Sequence, residues 1–473
     1  MIFASFEFVF LFLPVYFTLY FLTPAKWRNW PVLILSWLFY AWWRVDFLAL
    51  LVGVTVFTFA VARLMDASGV ESRRGRQLFL LGILGNLGVL GYFKYANFGV
   101  ATLNDLMSGL GFRPMVWNEI LLPIGLSFYV LQSVSYLIDL RRGVVPVSRS
   151  FVQYATYKAI FSQLIAGPIV RYAEIAPDLK ERTHSLALFG AGARRFMIGF
   201  AMKTILADTL SPMVDAIFAL PAPTLVESWT GAIAYTLQLF FDFAGYSAMA
   251  IGLALMCGFH FPQNFNHPYL SGNIQDFWNR WHMTLGRFLR DYLYISMGGN
   301  RRGPIRTYVN LFMTMVIGGL WHGANWTFIL WGVWHGGMLA LHRFWKNLGF
   351  RPIPYLIANP ILMLCIVLGW VTFRAPTIHS TFGMYAGMLG LNGTGFTDAI
   401  AWQITPDQLW TMAIAAVLVY WPVLTARTPL ARPPEENGWA LRAAWSVAPM
   451  LGFVLGLILL YSRAAVPFLY FQF

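Results

Sequence analysis

Charge is what this sequence has least of. Only 11% of its 473 residues are Asp, Glu, Lys or Arg, against roughly 25% in ordinary soluble domains. By contrast, 58% are hydrophobic and 17% are aromatic. That balance excludes a soluble domain with one apolar core, because too few ionic groups remain to cover the outside. Cysteine is nearly absent: Cys257 and Cys365 both lie in apolar stretches. A disulfide framework and a Cys-rich metal centre are thereby excluded, and two buried thiols remain. There is no Walker lysine, no GxGxxG after a strand, no GxSxG elbow and no HExxH pair, so the chemistries those motifs serve have no footing. His335 and His342 stand seven apart with no acid between them, which is no metal site. The paired interrupted helices of inverted-repeat transporters are also missing.

What the chain does have is apolar length. Runs able to enter or cross a bilayer recur throughout. The candidates are 5–23, 31–42, 46–62, 77–93, 119–138, 196–218, 229–256, 307–320, 326–341, 355–373, 408–425 and 445–462. Several fall short of the ~20 residues of a perpendicular span and must tilt or enter partway. The first is expected to be a retained helix, since no basic region precedes it and no A-x-A-like site follows. Residues 151–170 are apolar with basic residues on both sides, which predicts a re-entrant element stopped at Gly167-Pro168. The segment 381–393 is short and Gly-rich and need not span. Arg427–Asn437, with its prolines and charges, reads as a loop. The expected fold is an all-α polytopic membrane protein forming a single domain over 1–473.

The net charge of +13 does not imply a nucleic-acid partner. The basic residues form no solvated patch but punctuate the gaps between apolar runs. Lys26 and Arg28, then Arg63 to Arg76, then Arg141 to Arg149, then Arg171 to Arg195, then Arg280 to Arg306 fall in alternate gaps. The positive-inside rule then predicts a periplasmic N-terminus and cytoplasmic basic clusters.

Against so apolar a background, a few polar residues stand out. His322 lies inside the run from Arg306 to His342, in Gly318-Gly319-Leu320-Trp321-His322-Gly323-Ala324-Asn325. An ionisable group at membrane depth costs free energy and is a functional candidate by default. At about 1.5 Å per residue from position 307, it lies on the order of 20 Å from the cytoplasmic edge. Asn325 is placed to orient the imidazole by a hydrogen bond. A second group falls between Asn264 and Arg306. Phe277, Trp281, Thr284, Leu285 and Phe288 predict one amphipathic helix over Ile274–Ile295. It carries Arg280, His282, Arg290 and Asp291, which would line a mouth for an anionic donor. Asn300 and Arg301, in Gly298–Gly303, would approach phosphates, although such a turn is as often only a turn. Asp242 is expected to pair with an arginine or to cap a helix broken at Gly245. Lys94 and Arg374 are expected to snorkel toward an interface.

These segments resemble the bacterial membrane-bound O-acyltransferases, and within them the branch that acetylates alginate. The resemblance runs through Phe39-Tyr40-Ala41-Trp42-Trp43, Gly91–Tyr95, Leu122–Tyr129, Leu164–Pro168, Phe277–Tyr294, Gly298–Arg301 and Gly319–Ala324. It implies a ring of tilted helices around a central tunnel, with re-entrant and interfacial helices. It also implies catalytic roles for His322 and His282, beside which Arg280, Arg290, Asp291, Asn300, Arg301, Trp321 and Asn325 are the candidate donor or substrate contacts. The implied reaction moves an acetyl group from a cytoplasmic thioester, acetyl-CoA or another, across the bacterial inner membrane to an exopolysaccharide. No bound cofactor or metal is expected. The implied partners are a periplasmic acetyltransferase, a polysaccharide synthesis and secretion complex, and membrane lipids. His322 would act as a general base, which requires a neutral ring, or as a transient acyl carrier. His282 or Asn325 would stabilise the oxyanion. Cellulose acetylation, D-alanyl transfer to cell-wall polymer and a non-catalytic transporter are the alternatives.

Overall fold

A computed structural model describes residues 1–426, 428, 438–463, 468 and 469. The expected loop over Arg427–Asn437 lies, apart from Thr428, outside the described residues. Those residues form helices joined by turns and loops. Among the described residues, six helices are long and apolar enough to cross a membrane: Val45–Ala67, Arg73–Gly109, Leu225–Met256, Tyr355–Arg374, Pro406–Thr425 and Trp439–Ser462. The chain is therefore an all-α, multi-pass membrane protein. It divides into two compact units, residues 1–189 with 253–262 and residues 190–252 with 263–473.

In the first unit, the expected span 119–138 is shortened. Its helix runs only over Leu126–Arg141, because Pro123 lacks an N–H and Gly125 turns the backbone at φ 76°. Residues 154–170 are buried throughout, as a re-entrant element requires. The helix breaks earlier than expected, between Phe151–Ala159 and Phe161–Leu164, where Ile160 becomes extended. The Phe161 N–H donates to Ser36 Oγ at 3.0 Å. Phe161 is buried, so protein must supply that acceptor. Lys158, fully buried, donates to the Tyr129 carbonyl and to Ser133 Oγ. Lys94 does not snorkel. It is buried and donates to Ser127 Oγ at 3.3 Å, so a local polar partner replaces the interface.

In the second unit, the hairpin Pro304–His322 and Trp326–Asn347 builds the region around His322. Its two helices approach backbone to backbone at Gly319 and Gly332. A Cβ on Gly319 would overlap the Phe328 carbonyl, and one on Gly332 would lie 2.6 Å from the Met315 oxygen. Small residues at such crossings let helices gain dispersion contact where no hydrophobic effect drives them together.

Asp242 pairs with a lysine, not an arginine, and the helix Leu225–Met256 runs unbroken through Gly245. Lys203 Nζ lies 2.8 Å from Asp242 Oδ1 and 2.5 Å from Asp208 Oδ1. The second Asp242 oxygen accepts from the Leu469 N–H at 3.0 Å. Arg374, the last residue of Tyr355–Arg374, pairs with the exposed Asp215 Oδ1 at 2.5 Å. Residues 381–393 hold the end of a short helix, Ile378–Met388, too brief to span.

Candidate active site

The helix expected over Ile274–Ile295 is not continuous. Ile274–Arg280 ends at an extended Trp281, and Met283–Phe288 begins after His282, whose φ is +44°. A left-handed backbone is uncommon for a residue with a Cβ and needs support from its surroundings. Asn264 supplies it. Its carbonyl accepts from the Met283 N–H at 2.9 Å. Its Oδ1 accepts from Thr284 Oγ1 at 2.9 Å and from the Thr284 N–H at 3.3 Å, and lies 3.0 Å from His282 Nδ1. Its Nδ2 donates to Ser247 Oγ at 3.1 Å. A backbone N–H can only donate, so the atom facing Thr284 is the amide oxygen, and His282 Nδ1 must carry the proton it shares with that oxygen. In a neutral ring this makes Nε2 the basic nitrogen.

His322 is the last residue of Pro304–His322 and is 5% exposed. The rings of Trp321, Trp331 and Phe373 surround it, with centroids at 4.9, 5.2 and 5.2 Å. Trp321 also reaches the His282 ring at 6.4 Å. His282, His322 and Trp331 line one cavity of about 550 Å³. The wall is mostly apolar, with Leu285, Leu289, Leu311, Met315 and Leu339. Three arginines, Arg287, Arg290 and Arg343, line it together with no carboxylate. Such a chamber can take an anionic ligand at its cationic wall and present it to two imidazoles away from water.

The structure brings together His282, His322 and Arg290, with Trp321 against both imidazoles. Arg290 is ion-paired to Asp291 at 2.7 Å. Six residues expected at the site do not line this cavity: Arg280, Asp291, Asn300, Arg301, Trp321 and Asn325. Arg280 pairs with Asp276 at 2.9 Å on its own helix. Asn300 and Arg301 are exposed on a turn that Asn310 anchors through the Gly299 carbonyl at 2.8 Å. Asn325 does not orient the imidazole. Its Oδ1 caps Trp326–Asn347 by accepting from the Thr327 N–H at 3.1 Å, and its Nδ2 donates to the Pro376 carbonyl at 3.1 Å. The free N–H groups of a helix start compete for such a side chain.

The site also contains residues that the sequence did not single out: Asn264, Trp278, Arg287, Trp331 and Arg343. Asn264 opened the polar stretch already noted, so only its partner was hidden. Arg287 and Arg343 carried the same signal as Arg290, a basic residue beside an apolar run.

Comparison with known proteins places the chain in a family. The pattern of the membrane-bound O-acyltransferase family, MBOAT, matches residues 140–373. The probable alginate O-acetylase AlgI of Pseudomonas putida is 45% identical over 490 residues and covers 100% of both chains. The chain belongs to the membrane-bound O-acyltransferase family. Two further relatives share less identity with the chain. A Helicobacter pylori peptidoglycan O-acetyltransferase is 36% identical over 82% of this chain and 79% of its own. A Bacillus subtilis teichoic acid D-alanyltransferase is 28% identical over 53% and 67%. The matched segment includes both histidines and every cavity-lining residue of this O-acyltransferase.

Proposed function

We propose that this O-acyltransferase moves an acetyl group from a thioester donor across the bacterial inner membrane for O-acetylation of alginate. The acceptor is supported by likeness over the full length of an alginate O-acetylase. The observation that carries the site is that His282 and His322 line one largely apolar cavity with three arginines and no carboxylate on its wall. In this reading the cationic wall takes the anionic donor, acetyl-CoA or another acetyl thioester. Arg290 with Asp291 stands at the donor side, and the turn holding Asn300 and Arg301, with Arg280, forms its outer approach. His322 accepts the proton of the attacking hydroxyl as the new C–O bond forms, and the thiol leaves with a proton as the C–S bond breaks. His282, fixed by Asn264, and Trp321 hold the reacting groups. Asn325 acts at one remove, by setting where Trp326–Asn347 begins. The helices over 1–473 act as one domain around a tunnel, with the N-terminus in the periplasm. A periplasmic acetyltransferase and the polysaccharide secretion machinery complete the transfer.

The test is a proteoliposome assay with labelled acetyl-CoA and, separately, alginate, cellulose and peptidoglycan as acceptors, with periplasmic extract. Label on alginate alone is the expected result. Label on one of the others alone overturns the acceptor, and label on none overturns the donor or the reaction.

A further inference from the structure

In the first unit, three apolar stretches meet a cationic corner. Leu13–Leu22 ends there, Leu225–Met256 ends there, and the helix beginning at Leu186 starts there. Helix ends of this kind sit at the level of lipid head groups. Arg28 and Arg182 both approach the Tyr20 ring, with guanidinium carbons 5.4 and 5.6 Å from its centre. Arg182 also lies 4.5 Å from the Phe259 ring. Neither arginine makes an ion pair among the described residues, and Arg182 Nη1 is buried with no hydrogen-bond partner. Gly258, at φ +74°, holds the loop close, since a Cβ there would lie 2.7 Å from the Thr183 carbonyl.

His184 does not neutralise this charge. The Tyr20 O–H donates to the Cys257 carbonyl at 2.6 Å. The same oxygen therefore accepts from His184 Nε2–H at 2.9 Å, leaving Nδ1 to accept from Arg28 at 3.2 Å. Burial, Arg28 and Arg182 hold the His184 pKa below its ordinary value, so the ring stays neutral. The corner carries the charges of Arg28 and Arg182, and the acid beside it, Asp178, is taken by His260 at 3.3 Å. From His184 a groove of about 530 Å³ runs between Phe21, Leu188, Phe189, Leu255 and Met256.

Uncompensated guanidiniums in a partly desolvated place call for an anion, and their planar donor forks match phosphate oxygens. An apolar groove beginning at the same point calls for a hydrocarbon chain. We propose that this corner binds an anionic phospholipid, its phosphate between Arg28 and Arg182 and one acyl chain in the groove. Charge complementarity and the continuity of groove and cation pair select this occupant over a zwitterionic lipid, whose own ammonium cancels its phosphate and leaves both arginine charges uncompensated, and over free phosphate, which would leave the groove empty.

The test uses the full chain, purified in detergent and stripped of lipid. Thermal unfolding is followed with phosphatidylglycerol, phosphatidylcholine or inorganic phosphate, for wild type and for Arg28→Gln with Arg182→Gln. Phosphatidylglycerol is expected to raise the wild-type Tm by about 3–6 °C. The other two ligands, and the double variant with any ligand, should show no such rise. An equal shift with phosphatidylcholine, a shift with inorganic phosphate alone, or a shift kept by the double variant overturns the proposal. Should that variant fail to fold, Leu188→Trp, which fills the groove, serves instead. Native mass spectra should then show phosphatidylglycerol retained by wild type and lost by Leu188→Trp, and equal retention overturns the proposal.

Discussion

His282 is held in a left-handed backbone by one side chain from a distant loop, and this makes Asn264 as testable as the imidazole itself. Asn264→Ala removes the acceptor shared by His282 Nδ1 and both Thr284 donors. Leaving buried donors unmatched costs about 1–3 kcal/mol. The expected outcome is a lower Tm and acetyl transfer reduced by about tenfold or more, read by unfolding and by label transfer. His282→Gln should leave Tm near the wild-type value while lowering the rate. The sequence singled out His322 as an imidazole inside an apolar run and His282 as part of the polar stretch opened by Asn264, and the structure puts both on one cavity wall. The break between Trp281 and His282 was not. The apolar spacing of Phe277, Trp281, Thr284, Leu285 and Phe288 fits one helix, and the interruption comes from Asn264, a long-range partner that local periodicity does not contain. Asn325 was misjudged for a related reason. Its position beside His322 was visible, but its role as a helix cap depended on where the next helix begins.

At the scale of elements, the hairpin carrying His322 depends on contact between backbones. Gly332→Val would force Trp326–Asn347 away from Met315, displacing Trp331 from the His322 ring. Overpacking of this kind costs about 1–3 kcal/mol. Activity is expected to fall more than stability, measured as label transfer beside Tm. The bend in the buried segment over 151–170 was legible only in outline. Its apolarity predicted burial, which the structure shows over 154–170, but Ile160 bends because Ser36 offers the Phe161 N–H an acceptor.

Across the second unit, a buried charge cluster ties three distant parts of the chain together. Lys203 pairs with Asp208 and Asp242, and Asp242 holds the Leu469 N–H. Phe468 lies 4.5 Å from Tyr246 and 5.7 Å from Phe243, and Phe243 meets the His282 ring at 4.7 Å. Lys203→Met leaves buried carboxylates unpaired and should cost about 3–5 kcal/mol. Adding Asp208→Asn and Asp242→Asn should recover most of that loss in Tm. The argument that singled out His322 applies equally to Lys203 inside the 196–218 run. Its partners were hidden because they come from other turns and another helix. For the whole molecule, alternating basic loops predict that Arg74→Cys reacts with an impermeant thiol reagent only from the cytoplasmic face. Labelling from the periplasmic face would reverse the orientation.

The most direct measurement compares wild type with His322→Ala, both reconstituted with periplasmic extract and both shown to be folded by equal Tm, for acetyl transfer from labelled thioester to alginate. Loss of a general base is expected to lower the rate by about 10²–10⁴-fold. Transfer by His322→Ala at the wild-type rate would contradict the account.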